Sequence, residues 1–268
     1  MSRMMKDSIQ KKTIVGNWKM HTTSCDAKQL AKGIVDGLRN EEGVSIILCP
    51  PFPYLGMVGE ILKGTRIMLG AQNTYPEKEG AFTGEVSPTM LLDLGCKYVI
   101  LGHSERRHRL GESDAFINEK VRFALAAGLD VILCVGETLE ERKADQTEAL
   151  LDRQLGLGLA NMQSESLSRV SIAYEPVWAI GNADHHATPQ QVEDAHAILR
   201  ARFGQIFGKD AAAMVSIQYG GSVVPDDASA LFSRPGVDGA LIGGASLIAN
   251  EFLAIARSAV AETQALSH

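Results

Sequence analysis

Eight short apolar runs separated by amphipathic stretches predict an α/β protein folded as a single (β/α)8 barrel. Three observations carry this reading. The apolar runs are continuous in Val, Ile and Leu rather than strictly alternating, as expected for parallel strands buried on both faces. Helix start and stop signals fall between the runs. No linker or low-complexity tract divides the 268 residues, a length compatible with the roughly 250 residues of a one-domain barrel.

In chain order, strands are expected at 13–20, 44–49, 66–72, 98–102, 131–135, 170–174, 215–219 and 240–242. Between the first two, Ala27, Leu30, Ala31, Ile34, Val35 and Leu38 follow the i, i+3, i+4, i+7 stripe of an amphipathic helix. Ser113 precedes a helix bearing Phe116, Ile117, Val121, Ala124 and Leu125, and Gly128 supplies its C-cap. Thr138 with Glu141 reads as a capping box. Thr188, Pro189 and Gln191 give an N-cap, an N1 proline and an N3 partner. An open doubly wound sheet is the competing architecture, but the first strand–helix turn lacks the GxGxxG such folds often use. The expected layout is an N-terminal extension over 1–12, the barrel over 13–262 and a tail over 263–268.

Composition narrows the function. Hydrophobic residues at 45% and charged residues at 22% are ordinary for a globular protein. A formal charge of −6 argues against a nucleic-acid partner, which needs clustered Lys and Arg, but not against a small anion held by a few local donors. Cys25, Cys49, Cys96 and Cys134 form no CxxC pair, so neither zinc nor a disulfide framework is expected and a reducing compartment is favoured. The first residues are polar, and no apolar stretch approaches the ~18–20 residues of a membrane span. The expectation is a cytoplasmic protein with no membrane partner.

In a β/α barrel the active site lies at the C-terminal ends of the strands. Reading only those ends selects Asn17 and Lys19, His103-Ser104-Glu105, Glu137, Glu175, Gly220-Gly221-Ser222 and Gly243-Gly244. Taken alone, Lys19 reads most simply as a lysine whose stem packs while its ammonium reaches solvent, and His103 as a satisfied structural histidine. His103, however, precedes a segment that reads as a helix start, whose dipole disfavours a charged imidazole. Pro176 keeps Glu175 extended at its strand end, with the carboxylate facing the barrel mouth. The glycine pairs after strands seven and eight stand where barrel enzymes often bind phosphate. A base, a neutral electrophile, a cation and a phosphate cradle together suit proton abstraction α to a carbonyl on a sugar phosphate. Residue chemistry reaches that class and stops.

The same segments resemble the triosephosphate isomerase family. They are Gly16-Asn17-Trp18-Lys19-Met20, Gly70-Ala71-Gln72-Asn73, Gly84-Glu85-Val86-Ser87, the run 98–107 around His103, Cys134-Val135-Gly136-Glu137, the run 173–181 around Glu175, Tyr219-Gly220-Gly221-Ser222-Val223 and the run 239–246. The resemblance covers about residues 12–255 in order. It implies a TIM barrel that interconverts glyceraldehyde 3-phosphate and dihydroxyacetone phosphate without cofactor or metal. By resemblance Glu175 is the base, His103 the neutral electrophile and Lys19 the cation facing the enediolate. Asn17 orients the substrate, and Gly181, Ser222, Gly243 and Gly244 hold the phosphate. Glu105, Ser104, Thr83 and Cys134 support the site. The segment 73–87 is implied to insert into a second subunit, giving a homodimer with Thr83 near the partner's Asn17 and Lys19.

Two departures stand out. The family commonly continues Ile-Gly with Thr-Gly-Lys-Thr-Ala-Thr, whereas this chain has Asn182-Ala183-Asp184-His185-His186-Ala187-Thr188, one residue longer and without the glycine and lysine. The extra residue is expected to bulge within the lid segment 182–187. His21 stands where the family often has asparagine. Asp184-His185-His186 lacks a further ligand for a metal and reads as a solvated loop. The altered lid also motivates an alternative, an isomerase of a four-carbon ketose phosphate. A barrel that binds phosphate without catalysis is a third reading, disfavoured because base, electrophile and cation are all present.

Overall fold

The computed structural model describes residues 11–38, 43–181 and 186–265. Its elements run β1 (Lys12–Asn17), α1 (Ser24–Gly37), β2 (Val44–Cys49), α2 (Leu55–Leu62), β3 (Met68–Ala71), α3 (Pro88–Asp93), β4 (Tyr98–Leu101), α4 (Ser104–His108), α5 (Asp114–Ala127), β5 (Asp130–Val135), α6 (Leu139–Lys143), α7 (Thr147–Gly158), β6 (Val170–Tyr174), α8 (Pro189–Phe207), α9 (Lys209–Met214), β7 (Ile217–Tyr219), α10 (Pro225–Phe232), β8 (Gly239–Ile242) and α11 (Ala249–Ala265). Each strand pairs in parallel with the next, and β8 returns to β1 with Thr13 opposite Gly239, closing the barrel.

Closure explains the continuous apolar runs. Along β1, Ile14 packs outward against the helices while Val15 joins an inner cluster with Ile47, Cys49, Ile100, Ile132, Cys134, Ala173 and Leu241. Both faces are dry, so neither parity of the strand tolerates many charges.

The local signals act as read. Thr138 and Thr188 both form capping boxes, with Glu141 and Gln191. Ser113 caps α5, and Gly128 ends it at φ 118. Two hydroxyl caps escaped the periodicity: Thr23 and Asp26 form a third box at the start of α1, and the Ser87 side chain accepts the Met90 N–H at the start of α3. Strand ends differ from expectation for a backbone reason. The first strand stops at Asn17 rather than running to 20, because Lys19 (φ 51) and Thr22 (φ 78) turn left-handed and leave the ladder. The fourth stops at Leu101 because Gly102 (φ 72) reverses the chain; a Cβ there would come within 2.9 Å of Arg107 and 3.1 Å of the Cys134 carbonyl. Such a position needs glycine.

One buried group couples this core to pH. His196 on α8 is fully buried, edge-on to Tyr174, and its Nδ1 donates to the Gly236 carbonyl at 2.9 Å. Burial outweighs that hydrogen bond and lowers its pKa from 6.5 to about 4. The unfolded chain takes up the proton near pH 6.5 and the folded one only near 4, so stability present above 6.5 is lost as pH falls between the two. The shift corresponds to on the order of 3 kcal/mol. In His196→Asn, which keeps a donor in the Nδ1 position, the melting temperature should fall less steeply between pH 6.5 and 4. An unchanged slope would remove His196 as the cause.

Candidate active site

A cavity of about 290 Å³ opens at the C-terminal end of the barrel. Asn17, Lys19, His103, Glu175, Gly181, Ser222, Gly243 and Gly244 all line it. Eight residues separated by up to 227 positions in the chain thus share one space.

Glu175 follows β6 directly, and its backbone N–H donates to the Val135 carbonyl at 2.8 Å. Its side chain is nearly fully buried. One carboxylate oxygen, Oε2, accepts the Ser104 N–H at 2.8 Å, and the other, Oε1, lies 2.9 Å from His103 Nε2. Gly220 makes room: a Cβ there would stand 2.8 Å from Glu175 Cγ. Beneath the carboxylate, the Cys134 thiol is pushed well above its ordinary pKa, chiefly by burial and further by the Glu175 charge. It stays protonated and acts on Glu175 as a neutral neighbour.

His103 is the N-cap of α4, and its Nδ1 accepts the Glu105 N–H at 3.3 Å. An accepting Nδ1 places any single proton on Nε2, the nitrogen that faces Glu175. The helix-start argument therefore fixes the tautomer. The net charge preference differs from the sequence expectation. Burial lowers the pKa of His103, but the adjacent Glu175 charge and hydrogen bond, helped by Glu105, raise it above 6.5 overall. The helix terminus does not act alone: the carboxylate of Glu175, far along the chain and bonded to the Ser104 N–H, reverses the balance while it touches the ring.

Lys19 sits beyond the end of β1 in its left-handed turn. Asn17 Oδ1 accepts the Lys19 N–H at 3.0 Å, and Gln72 Nε2 donates to the carbonyls of Lys19 and Cys49, both at 2.9 Å. These bonds hold the strained residue. Its Nζ reaches Glu105 Oε1 at 2.8 Å, and its Cε lies 3.3 Å from where a Gly243 Cβ would be. The carboxyl pKa of Glu105 is opposed upward by burial but lowered on balance by Lys19. The lysine is thus paired, neither free in solvent nor unaccompanied in the cavity.

Gly181 (φ 64) precedes the expected lid; Asn182–His185, most of the segment 182–187 in which the extra residue is expected to bulge, lie outside the described residues. Thr83 is exposed in the 73–87 segment and is not among the cavity-lining residues of this chain. His21, not assigned a site role, does line the cavity.

Several residues with clear positions had no assigned role. Glu137, fully buried, accepts from Tyr174 Oη at 3.0 Å, Trp178 Nε1 at 3.0 Å and Arg142 at 2.9 Å, and its carbonyl accepts the Val177 N–H. It anchors the N-terminal approach to the lid, and its strand-end position was the only signal. Arg107 spans the carbonyls of Gly102 and Cys134 at 2.7 and 3.1 Å, fastening the loop of His103 to the floor beneath Glu175. No group of three or more His, Cys, Asp or Glu able to hold a metal occurs among the described residues. No helix among them is long and apolar enough to cross a membrane.

A closed parallel barrel whose C-terminal mouth gathers a carboxylate, an imidazole, an ammonium and several glycines around one cavity defines a barrel enzyme of acid–base type. The model of the triosephosphate isomerase family matches residues 12–259. Curated triosephosphate isomerases are similar at 48% identity in Carboxydothermus hydrogenoformans, covering 94% of this chain and 100% of the relative, and at 50% in Chloroflexus aurantiacus, covering 90% and 96%. The one from Rhodopirellula baltica is 47% identical over 92% and 96%. The chain belongs to the triosephosphate isomerase family.

Proposed function

We propose that this protein interconverts glyceraldehyde 3-phosphate and dihydroxyacetone phosphate through an enediolate. The observation that carries the reading is the grouping of Glu175, His103 and Lys19 with Ser222 and the glycines around a single cavity. Substrate phosphate, held by the N–H groups of Gly181, Ser222, Gly243 and Gly244, leaves the carbonyl and its neighbouring carbon beside Glu175 and His103. Glu175 leaves His103, takes the proton from that carbon and returns it to the adjacent one. Released from Glu175, His103 keeps the proton on Nε2 and donates a hydrogen bond to the oxygen that becomes negative. Lys19 adds positive charge there, and Asn17 fixes its turn. Electrons move from the broken C–H bond into the carbonyl, and as the hydroxyl proton passes from one oxygen to the other by way of His103 Nε2 they return to form the neighbouring carbonyl, so no cofactor is consumed. A coupled assay offering glyceraldehyde 3-phosphate beside erythrulose phosphates tests this. Turnover of the triose is expected. Preference for the four-carbon compound would assign the altered lid a change of substrate, and no turnover of either would leave only phosphate binding.

We also propose a homodimer and a reducing, cytoplasmic setting. Met20, beside Lys19, is 95% exposed, and Phe82 at the 73–87 tip is 38% exposed. Such exposed apolar groups, one of them next to Lys19 in the chain, want cover. The base of that segment is stiff: Lys120 is buried and holds Asn73 Oδ1 at 2.8 Å and Glu112 at 2.6 Å, while Tyr75 stacks on Phe82 at 4.7 Å. A pre-formed segment gives up little entropy on docking. Sedimentation at assay concentration should give a dimer, and Phe82→Asp with Met20→Asp should shift it towards monomer with loss of activity. A fully active monomer would overturn the dimer. The setting fits the free thiols of Cys25, Cys49, Cys96 and Cys134.

A further inference from the structure

At the opposite end of the barrel from the active site, a second cavity of about 180 Å³ is lined by Thr13, Tyr98, Ser171, Ser216 and Gln218, with Asp130 at its wall. These residues stand at or near the starts of β1, β4, β5, β6 and β7, so this is the N-terminal mouth. In most barrels of this class that end is filled by side chains. Here the side chains that face inward are polar. Gln218 is only 1% exposed, yet its Oε1 has no hydrogen-bond partner among the described residues, and neither has the buried Oγ of Ser216. Two buried polar oxygens beside a hollow are costly unless something in the hollow bonds to them, on the order of 1–3 kcal/mol each.

The charge of the wall decides what kind of molecule fits. Asp130 is already met by Arg169 Nε at 2.9 Å and Lys97 Nζ at 3.9 Å. The remaining nitrogens of Arg169 are spent on the carbonyls of Leu125 and Leu129 at 3.0 and 2.6 Å. Little uncompensated charge of either sign is left to recruit an ion. What faces the hollow are hydroxyls and one amide, groups that both donate and accept. Burial, with Asp130 adding, raises the phenol pKa of Tyr98, so it remains a hydroxyl at any physiological pH.

We propose that the N-terminal mouth of the barrel is a binding site for a small uncharged polyhydroxy molecule, whose hydroxyls donate to Gln218 Oε1 and pair with the Ser216 hydroxyl. The space exceeds that of a single water, whose share of liquid volume is about 30 Å³, and suits a three-carbon polyol. Gln218 forms the deep end, and Met214, 65% exposed, stands at the rim.

Glycerol is the probe. Ligand-observed NMR should show saturable millimolar binding that persists when inorganic phosphate fills the active-site cavity. In Gln218→Leu, which keeps volume and removes the amide, affinity should fall about tenfold, the loss expected when one good buried hydrogen bond goes. Turnover should be unchanged. Ser216→Ala, a smaller change, should weaken binding in the same direction and serves if Gln218→Leu does not fold. Non-saturable binding, displacement by phosphate, or equal affinity in a folded variant would each overturn the site.

Discussion

Glu175→Asp should lower kcat by about 10²–10³ while KM changes modestly, because proton transfer depends on near-contact geometry. The substitution keeps the charge and withdraws the carboxylate by roughly one carbon–carbon bond, about 1.5 Å. In the present arrangement one oxygen accepts the Ser104 N–H at 2.8 Å and the other lies 2.9 Å from His103 Nε2. A shortened side chain cannot keep both contacts without moving the backbone. That backbone is held by the bond from the Glu175 N–H to Val135 and by the Gly220 N–H to Tyr174 at 2.7 Å. The loss therefore falls on the chemical step. The phosphate wall is untouched, so affinity for inorganic phosphate should stay the same. Full activity in Glu175→Asp would show that another group is the base.

Lys19→Met should reduce kcat/KM by about 10²–10³, the scale on which one preorganised charge-stabilising group acts, with little change in melting temperature. The two readouts separate a functional lysine from a structural one. The Lys19–Glu105 pair has side-chain exposures of 22% and 38%, and a pair so placed contributes at most about 1 kcal/mol. That corresponds to only about 2–4 °C in a domain of this size. Methionine keeps the stem, so packing beside Gly243 is preserved. The left-handed turn is held through main-chain atoms by Asn17 and Gln72, which the substitution leaves alone. Glu105, deprived of its partner, should become easier to protonate, since Lys19 is what lowers its pKa against burial. A normal kcat/KM with a large drop in melting temperature would reverse the assignment and make Lys19 a scaffold residue.

Much of this was legible in the chain. Strands buried on both faces are mainly apolar, so the runs at 44–49 and 170–174 match β2 and β6 end to end although each carries one serine. Capping is written within four residues, so Thr138–Glu141 and Thr188–Gln191 were readable. Strand-end polarity also singled out Asn17, Lys19, His103, Glu175 and the glycine pairs, because dry strands leave few other places for them.

The tertiary structure decided what depends on partners distant in sequence. The sequence alone placed His103 at a helix start, which sets its tautomer through a neighbour two residues on. Its charge preference is set by Glu175, brought to 2.9 Å by barrel closure, and no local pattern carries that. Gln72 and Arg107 act by bonding backbone carbonyls of other strands, and a carbonyl has no residue identity to read. Gln218 looks like one polar residue in an apolar strand until closure aims it into the N-terminal mouth beside Ser216. Local rules act over one turn or one cap, whereas hydrogen bonds and fields act through space, and only the folded barrel fixes those distances.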